Sequence, residues 1–217
     1  MSACGGVRGA ALALVAVVAL TGCGNIVAGT AVVGESAGPG GGGGDVRVCN
    51  HVDAPMADIS AQDDSEPLLR VPQPAGWVRD ASLDNTLIRY RMVDNSLTKY
   101  ILPPNIVVSL VHVSNMEPKD EFDKQQQALQ AMPANSNVVS SRGKQCGYPA
   151  ASLSFNQPPI APGTPPRALR VRSMLVGKGA HQFLVTATVQ TNDPDNPIYQ
   201  KDAQTMLDGL QVTTPGV

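Results

Sequence analysis

Between residues 86 and 191, apolar side chains recur mainly at every second position, in six runs bordered by turn residues. That alternation gives way only once to a helical pattern. Such a chain has to be built around a sheet with unlike faces. The strand candidates are residues 86–93, 105–114, 137–145, 150–156, 167–176 and 181–191, most of them rich in β-branched side chains. Residues 118–132 (PKDEFDKQQQALQAM) open on Pro with acidic residues in the first turn, place Phe122, Gln125, Leu129 and Met132 on one face, and stop before Pro133. A second helix is predicted over 196–210, with Pro197 near its start and Ile198, Ala203, Met206, Leu207 and Leu210 on its apolar face. Two strands, a helix, four strands and a closing helix define an α+β fold, a largely antiparallel sheet flanked by helices. The short link 177–180 predicts a hairpin between the last two strands. Residues 106–113 are apolar on both faces apart from Ser109 and His112, and are expected to form a central strand covered on both sides.

The segments before the first candidate strand are less patterned. Residues 53–65 are polar and expected to be a loop or short helix, and residues 68–79 (LLRVPQPAGWVR) follow an extended path forced by two X-Pro steps. The only Trp, Trp77, follows the Pro-Ala-Gly turn. Its expected role is a core anchor, the alternative being a platform for stacking a ligand.

The N-terminus speaks to location. A single charged side chain, Arg8, precedes an apolar run of about 11 residues from Ala10 to Leu20, a length that suits an export signal and falls well short of the ~20 needed to cross a bilayer. Leu20-Thr21-Gly22-Cys23 follows and matches the lipoprotein box at all four positions, which offers the Cys23 thiol for acylation. The alternative is an ordinary Cys beside a signal cleaved elsewhere. Residues 1–22 are thus expected to be a signal peptide, 23–45 a lipidated Cys and Gly-rich tether, and 46–217 one globular domain. A tether of ~22 residues would hold that domain about 25 Å from its lipid. The tether contains Gly34-Glu35-Ser36-Ala37-Gly38, a G-x-S-x-G match. A nucleophile elbow needs a strand before it and a helix after it, and the Gly run 40–44 supports no helix, so the match is read as chance.

With Cys4 lost in the signal and Cys23 acylated, Cys49 and Cys146 remain. In an oxidising envelope compartment they are expected to form one disulfide, worth roughly 4 kcal/mol in the chain-entropy account. Two free or metal-binding thiols are the alternative, but there is no C-x-x-C, and His51 stands alone beside Cys49. Neither metal nor cofactor is expected: His51, His112 and His181 are scattered, and there is no H-E-x-x-H, EF-hand loop, P-loop or dinucleotide fingerprint. Asp193-Pro194-Asp195-Asn196 reads as a turn capping the last helix. A formal charge of −2 carries no footprint of a nucleic-acid partner.

Alternation supplies one spatial expectation. Arg89 and Arg91 share a strand face opposite Ile88, Tyr90 and Met92, and Arg170 and Arg172 share one opposite Leu169, Val171 and Leu175. If all four meet on one sheet face, with Thr186, Thr188 and Gln190 beside them, guanidinium forks and hydroxyls would bind sugar hydroxyls or a phosphate head group. The alternative is a solvated sheet face. His112 with Ser109 or Ser114 can be drawn into a triad on paper, but no nucleophile motif supports it, and no catalytic residue is named.

Together, Leu20-Thr21-Gly22-Cys23, the low-complexity tether, the turn Pro72-Gln73-Pro74-Ala75-Gly76-Trp77 and the strand-helix-strands-helix order resemble the mycobacterial LpqN/LpqT-like envelope lipoproteins, over residues 66–212. The resemblance implies the Mog1/PsbP-like α/β/α sandwich. It also implies a non-catalytic, lipid-anchored protein on the extracytoplasmic side of the cell membrane, with a glycolipid or trehalose-type ligand and an MmpL-type export protein as partners. The Cys49 and Cys146 pair departs from the family pattern. Two other classes compete: an envelope ester hydrolase, which a serine-reactive fluorophosphonate would label, and a protein-only scaffold, which predicts no pocket above ~300 Å³.

Overall fold

The computed structural model describes residues 49–214. The signal peptide, Cys23 and the tether lie outside the described residues. Ten strands and two helices follow in order: β1 (Met56–Ile59), β2 (Leu68–Pro72), β3 (Val78–Arg79), β4 (Ile88–Val93), β5 (Asn105–Val113), α1 (Pro118–Ala131), β6 (Ser136–Gln145), β7 (Tyr148–Gln157), β8 (Arg167–Lys178), β9 (His181–Thr191), α2 (Pro197–Asp208) and β10 (Gln211–Thr213).

Seven strands form one antiparallel sheet in the order β3-β4-β5-β9-β8-β7-β6, and β1-β2-β10 form a second, also antiparallel. The large sheet is apolar on both faces, and each face is covered. On one, Met92, Ile106, Val108, Met174, Val185 and Val189 pack with Ala203, Met206 and Leu210 of the α2 region and with Leu69 and Val71 of the small sheet. On the other, α1 sets Leu129 against Leu153, Phe155, Leu169 and Val171, and Phe122 against Ala151, Leu175 and Leu184. The result is an α/β/α sandwich.

The helix ends obey local chemistry. In α1, Pro118 stands in the first turn with Asp120 and Glu121, where the missing N–H costs nothing and carboxylates face the positive end of the helix dipole. In α2, the Asn196 side chain accepts from the Ile198 and Tyr199 amides at 3.0 and 3.2 Å.

One expectation is corrected. Residues 53–65 contain β1, neither a simple loop nor a helix. The small sheet exists because β2 recruits β1 locally and β10 from the far end of the chain, and four- and three-residue strands leave too short a period to read. The 105–113 strand is interior as expected, between β4 and β9 with cover on both faces, and the reversal at Gly179 and Ala180 brings β9 beside β8.

That hairpin depends on Gly177, whose φ of +83° would set an added Cβ 2.0 Å from the His181 carbonyl oxygen. Gly177→Ala is expected to destabilise the domain by about 1–3 kcal/mol, the usual cost of a side chain held in the left-handed region. A urea titration measures it; an unchanged midpoint would mean that the hairpin relaxes freely.

The β6–β7 turn is equally tight. Cys146 (φ 50°) and Gly147 (φ 73°) both take the left-handed conformation between the paired residues Gln145 and Tyr148. Cys146 is bonded to Cys49 across 97 residues of sequence. Gln145 Nε2 donates to the Leu207 and Leu210 carbonyls, both at 2.9 Å, so the turn is fixed to the end of α2.

Candidate functional site

Register decides where the arginines go. Arg170 and Arg172 pair with Val189 and Ala187, so they share the α2 face of the sheet with those buried side chains. Arg91 pairs with Val107, whose side chain points to the α1 face, while Arg89 sits in an irregularity between Ile88 and Tyr90. Thr186, Thr188 and Gln190 also lie on the α1 face, opposite Ser173, Val171 and Leu169. The expected four-arginine surface is therefore divided: β5 and β9 separate β4 from β8, about 14 Å at the usual strand spacing, and Arg91 points to the side opposite Arg170 and Arg172. Alternation within a strand says which residues share a face; it does not say which face of the sheet that is.

Two of the arginines have structural occupations. Arg89 and Glu66 form an ion pair whose side chains are only 7% and 8% exposed, and Arg91 pairs with Asp80. Trp77 is 1% exposed and its Nε1–H donates to Asp202 Oδ2 at 2.9 Å, so it anchors the core and has no free face on which to stack a ligand. Nor do His112 and Ser109 form a dyad. His112 lies on the α2 face, edge-on to Phe183 with Nε2 2.8 Å from the Ala180 carbonyl, and Ser109 lies on the other face.

Arg170 and Arg172 occupy a different setting. By register Ser154 stands beside Arg170, Ser152 beside Arg172 and Asn156 beside Ala168, all on the α2 face. Ser141 of β6 extends the row next to Ser152. This is a half-exposed polar shelf, and among the described residues the side chains of Ser152, Ser154 and Asn156 have no hydrogen-bond partner. Helix α2 forms its wall: Arg170 donates to Gln204 Oε1, and Arg172 Nη2 to Asp208 Oδ1 at 2.8 Å. Where the wall meets β8 a groove of about 550 Å³ opens, lined by Arg170, Tyr199, Gln200, Lys201 and Gln204 together with Pro197. No carboxylate lines it. The Lys201 ammonium has no partner among the described residues. Burial pushes the Tyr199 phenol well above its ordinary range, the nearby Arg170 charge opposing only in part, so Tyr199 is neutral at physiological pH.

The arrangement can hold a ligand carrying hydroxyls, a negative charge or both. Guanidinium and ammonium supply donors, while Ser, Asn and Gln supply donors and acceptors. Sequence reasoning found Arg170 and Arg172 but missed Ser152, Ser154, Asn156 and Lys201. The signal was present in Ala-Ala-Ser-Leu-Ser-Phe-Asn, where polar residues alternate with Leu153 and Phe155. Among the described residues, no group of three His, Cys, Asp or Glu could hold a metal ion, and no helix is long and apolar enough to cross a membrane.

The class that these layers define is an antiparallel sheet between helices, α+β. Among solved structures that fold is shared with LpqN of Mycobacterium tuberculosis, described as involved in cell envelope biogenesis: TM-score 0.58, 15% identity, 73% of this chain and 91% of that one covered. Cyanobacterial PsbP from Synechocystis aligns at TM-score 0.48 and 13% identity over 78% of this chain and 99% of its own, and the Ran-binding protein Mog1p of Saccharomyces cerevisiae at 0.41 and 11% over 73% and 96%. No family model and no curated protein sequence matches the chain.

Proposed function

We propose that the chain is a lipid-anchored binding and accessory protein of the cell envelope, held through Cys23 on the extracytoplasmic side of the membrane. In this reading its shelf and groove hold the head group of an envelope glycolipid or trehalose-type intermediate, for hand-over to an export protein of the MmpL type. The observation that carries it is the groove beside the shelf: two cations, no carboxylate, a row of unpartnered hydroxyl and amide groups, and a volume of about 550 Å³, above what a protein-only scaffold predicts. The envelope role of the LpqN neighbour and the Leu20-Thr21-Gly22-Cys23 box support the location.

Two measurements test this reading. Native mass spectrometry of the chain, expressed with its own signal in an actinobacterial host and extracted gently, is expected to release a co-purifying glycolipid. An empty protein would shift the reading to the scaffold, and labelling by a fluorophosphonate would shift it to the hydrolase. Second, Arg170→Ala and Lys201→Ala are each expected to weaken binding of the released lipid by about tenfold, the size of one charge-assisted hydrogen bond. Calorimetric titration reads this, and undiminished binding in both variants would remove the groove from the site.

A further inference from the structure

The end of the domain at which the groove opens is also its most apolar exposed surface. Tyr100 and Ile101 cap the tight reversal closed by the Lys99–Leu102 bridge and are 50% and 60% exposed; Ile198, in the first turn of α2, is 57% exposed and Ile160, in the 158–166 loop, 38%. These four account for most of the large apolar side chains that the described residues leave in solvent. Topology gathers them: the β4–β5, β7–β8 and β9–α2 connections all leave the large sheet at one end. Lys99 Nζ pairs with Asp193 Oδ1 at 2.9 Å, and Asn192 Nδ2 donates to the Pro165 carbonyl at 2.9 Å, tying the three connections together. Segments 98–104 and 158–166 hold seven prolines, a single charge in Lys99 and no carboxylate. Little conformational freedom is left to lose when this surface is covered.

We propose that this pole dips into a lipid surface, Ile101, Ile160 and Ile198 entering the acyl boundary and Tyr100 seated at the head-group level. Aliphatic side chains on two carboxylate-free loops suit lipid, and an amphipathic ring flanked by a Lys suits the interface; the third connection carries Asp193, paired with Lys99, and the exposed Asp195, which stays on the aqueous side. The geometry of the chain favours the same occupant. Cys49 is bonded to Cys146 at the opposite end of the sheet, and β8 alone, at 12 residues, spans about 40 Å. The 25 residues between Cys23 and Cys49 reach at most about 85 Å, enough for the pole to return to the membrane that carries the anchor. A head group in the groove would then lie beside the point of insertion while its acyl chains stayed in lipid. The return to an anchoring membrane and that last consequence rest on the proposed function; the apolar pole itself does not.

The test uses residues 46–217; among the described residues 49–214 every strand pairs with another of the same domain and the cores close within it. The probes are sedimented vesicles of phosphatidylcholine alone and of phosphatidylcholine with phosphatidylglycerol. The unacylated domain is expected to bind both. The double variant Tyr100→Ser, Ile101→Ser should bind about tenfold less, given the apolar area removed, with an unchanged melting curve. Val139→Ser, 63% exposed on the edge strand β6, should bind as the parent does. Absence of vesicle binding, full binding by the double variant, or binding that requires phosphatidylglycerol and disappears only with Arg170→Ala and Lys201→Ala would each overturn the proposal. Failure of the head-group titration leaves the vesicle result standing, so the two readings fail separately.

Discussion

Replacing Cys49 and Cys146 together by Ser lowers the stability of the domain by about 4 kcal/mol, the cost of releasing a cross-link that closes a loop this long in the unfolded chain. The bridge joins positions 97 residues apart, and the loop it closes contains β1 to β6, six of the ten strands, together with α1. Its effect is concentrated where few other contacts operate, because Cys49 precedes β1 and nothing in the three-stranded sheet reaches the β6–β7 turn through its own strand pairing. Cys146 is 3% exposed, so Ser there also buries a hydroxyl. Reduction of the unmutated domain separates the two contributions, since it opens the loop without changing side-chain polarity. Urea titration of oxidised protein, reduced protein and double variant should give midpoints falling in that order. Against a typical stability of about 5–15 kcal/mol, the loss leaves a domain easily unfolded on warming. A shift below about 1 kcal/mol on reduction would show that the denatured chain already holds the two ends together.

The same bridge illustrates what could be read from residue types alone. Once Leu20-Thr21-Gly22-Cys23 is read as a lipoprotein box, two cysteines remain and point to each other by elimination, without any geometry. The long strands were legible because their burial is periodic: residues 181–191 coincide with β9, and 167–176 fall two residues short of β8 only because Gly177 and Lys178 carry no apolar signal. Both helices were legible from a proline at the start and apolar residues at helical spacing, α1 also from its acidic first turn. The small sheet was not, since its stability lies in pairing between β2 and a strand more than 130 residues away, which leaves no trace in local pattern. The arginines fall between these cases. Regular pairing sets Arg170 and Arg172 on one face, while the irregularity after Ile88 interrupts the alternation from which Arg89 and Arg91 were paired. Whether two strands present the same face depends on connections that alternation cannot reveal. Ser152, Ser154 and Asn156 became candidates only once β7 was known to lie beside β8.

Glu66→Ala costs the fold about 3–5 kcal/mol, the penalty for leaving a buried charge without its partner. Arg89 then retains only the Thr86 carbonyl, which its Nε–H reaches at 2.9 Å; its Nη1 is already buried without a partner among the described residues. Glu66 has a second duty, as its Oε2 accepts from the Gln62 amide at 2.7 Å and holds the 62–66 turn against β4. Replacing both ends of the pair with apolar residues, Glu66→Leu with Arg89→Met, is expected to recover most of the loss, because two desolvated charges are removed along with their attraction. Arg170→Ala makes the opposite case. Its guanidinium is partly exposed and rests on the neutral Gln204, so its removal should change stability by less than about 1 kcal/mol while weakening the head-group titration. Denaturation and titration measured on the same four proteins therefore sort the arginines by what they do. An arginine whose neutral replacement costs folding and whose paired apolar replacement restores it belongs to the scaffold. One whose loss spares the fold and costs binding belongs to the site. A Glu66→Ala protein as stable as its parent would mean that water reaches Arg89, and the division between the two arginine pairs would have to be redrawn.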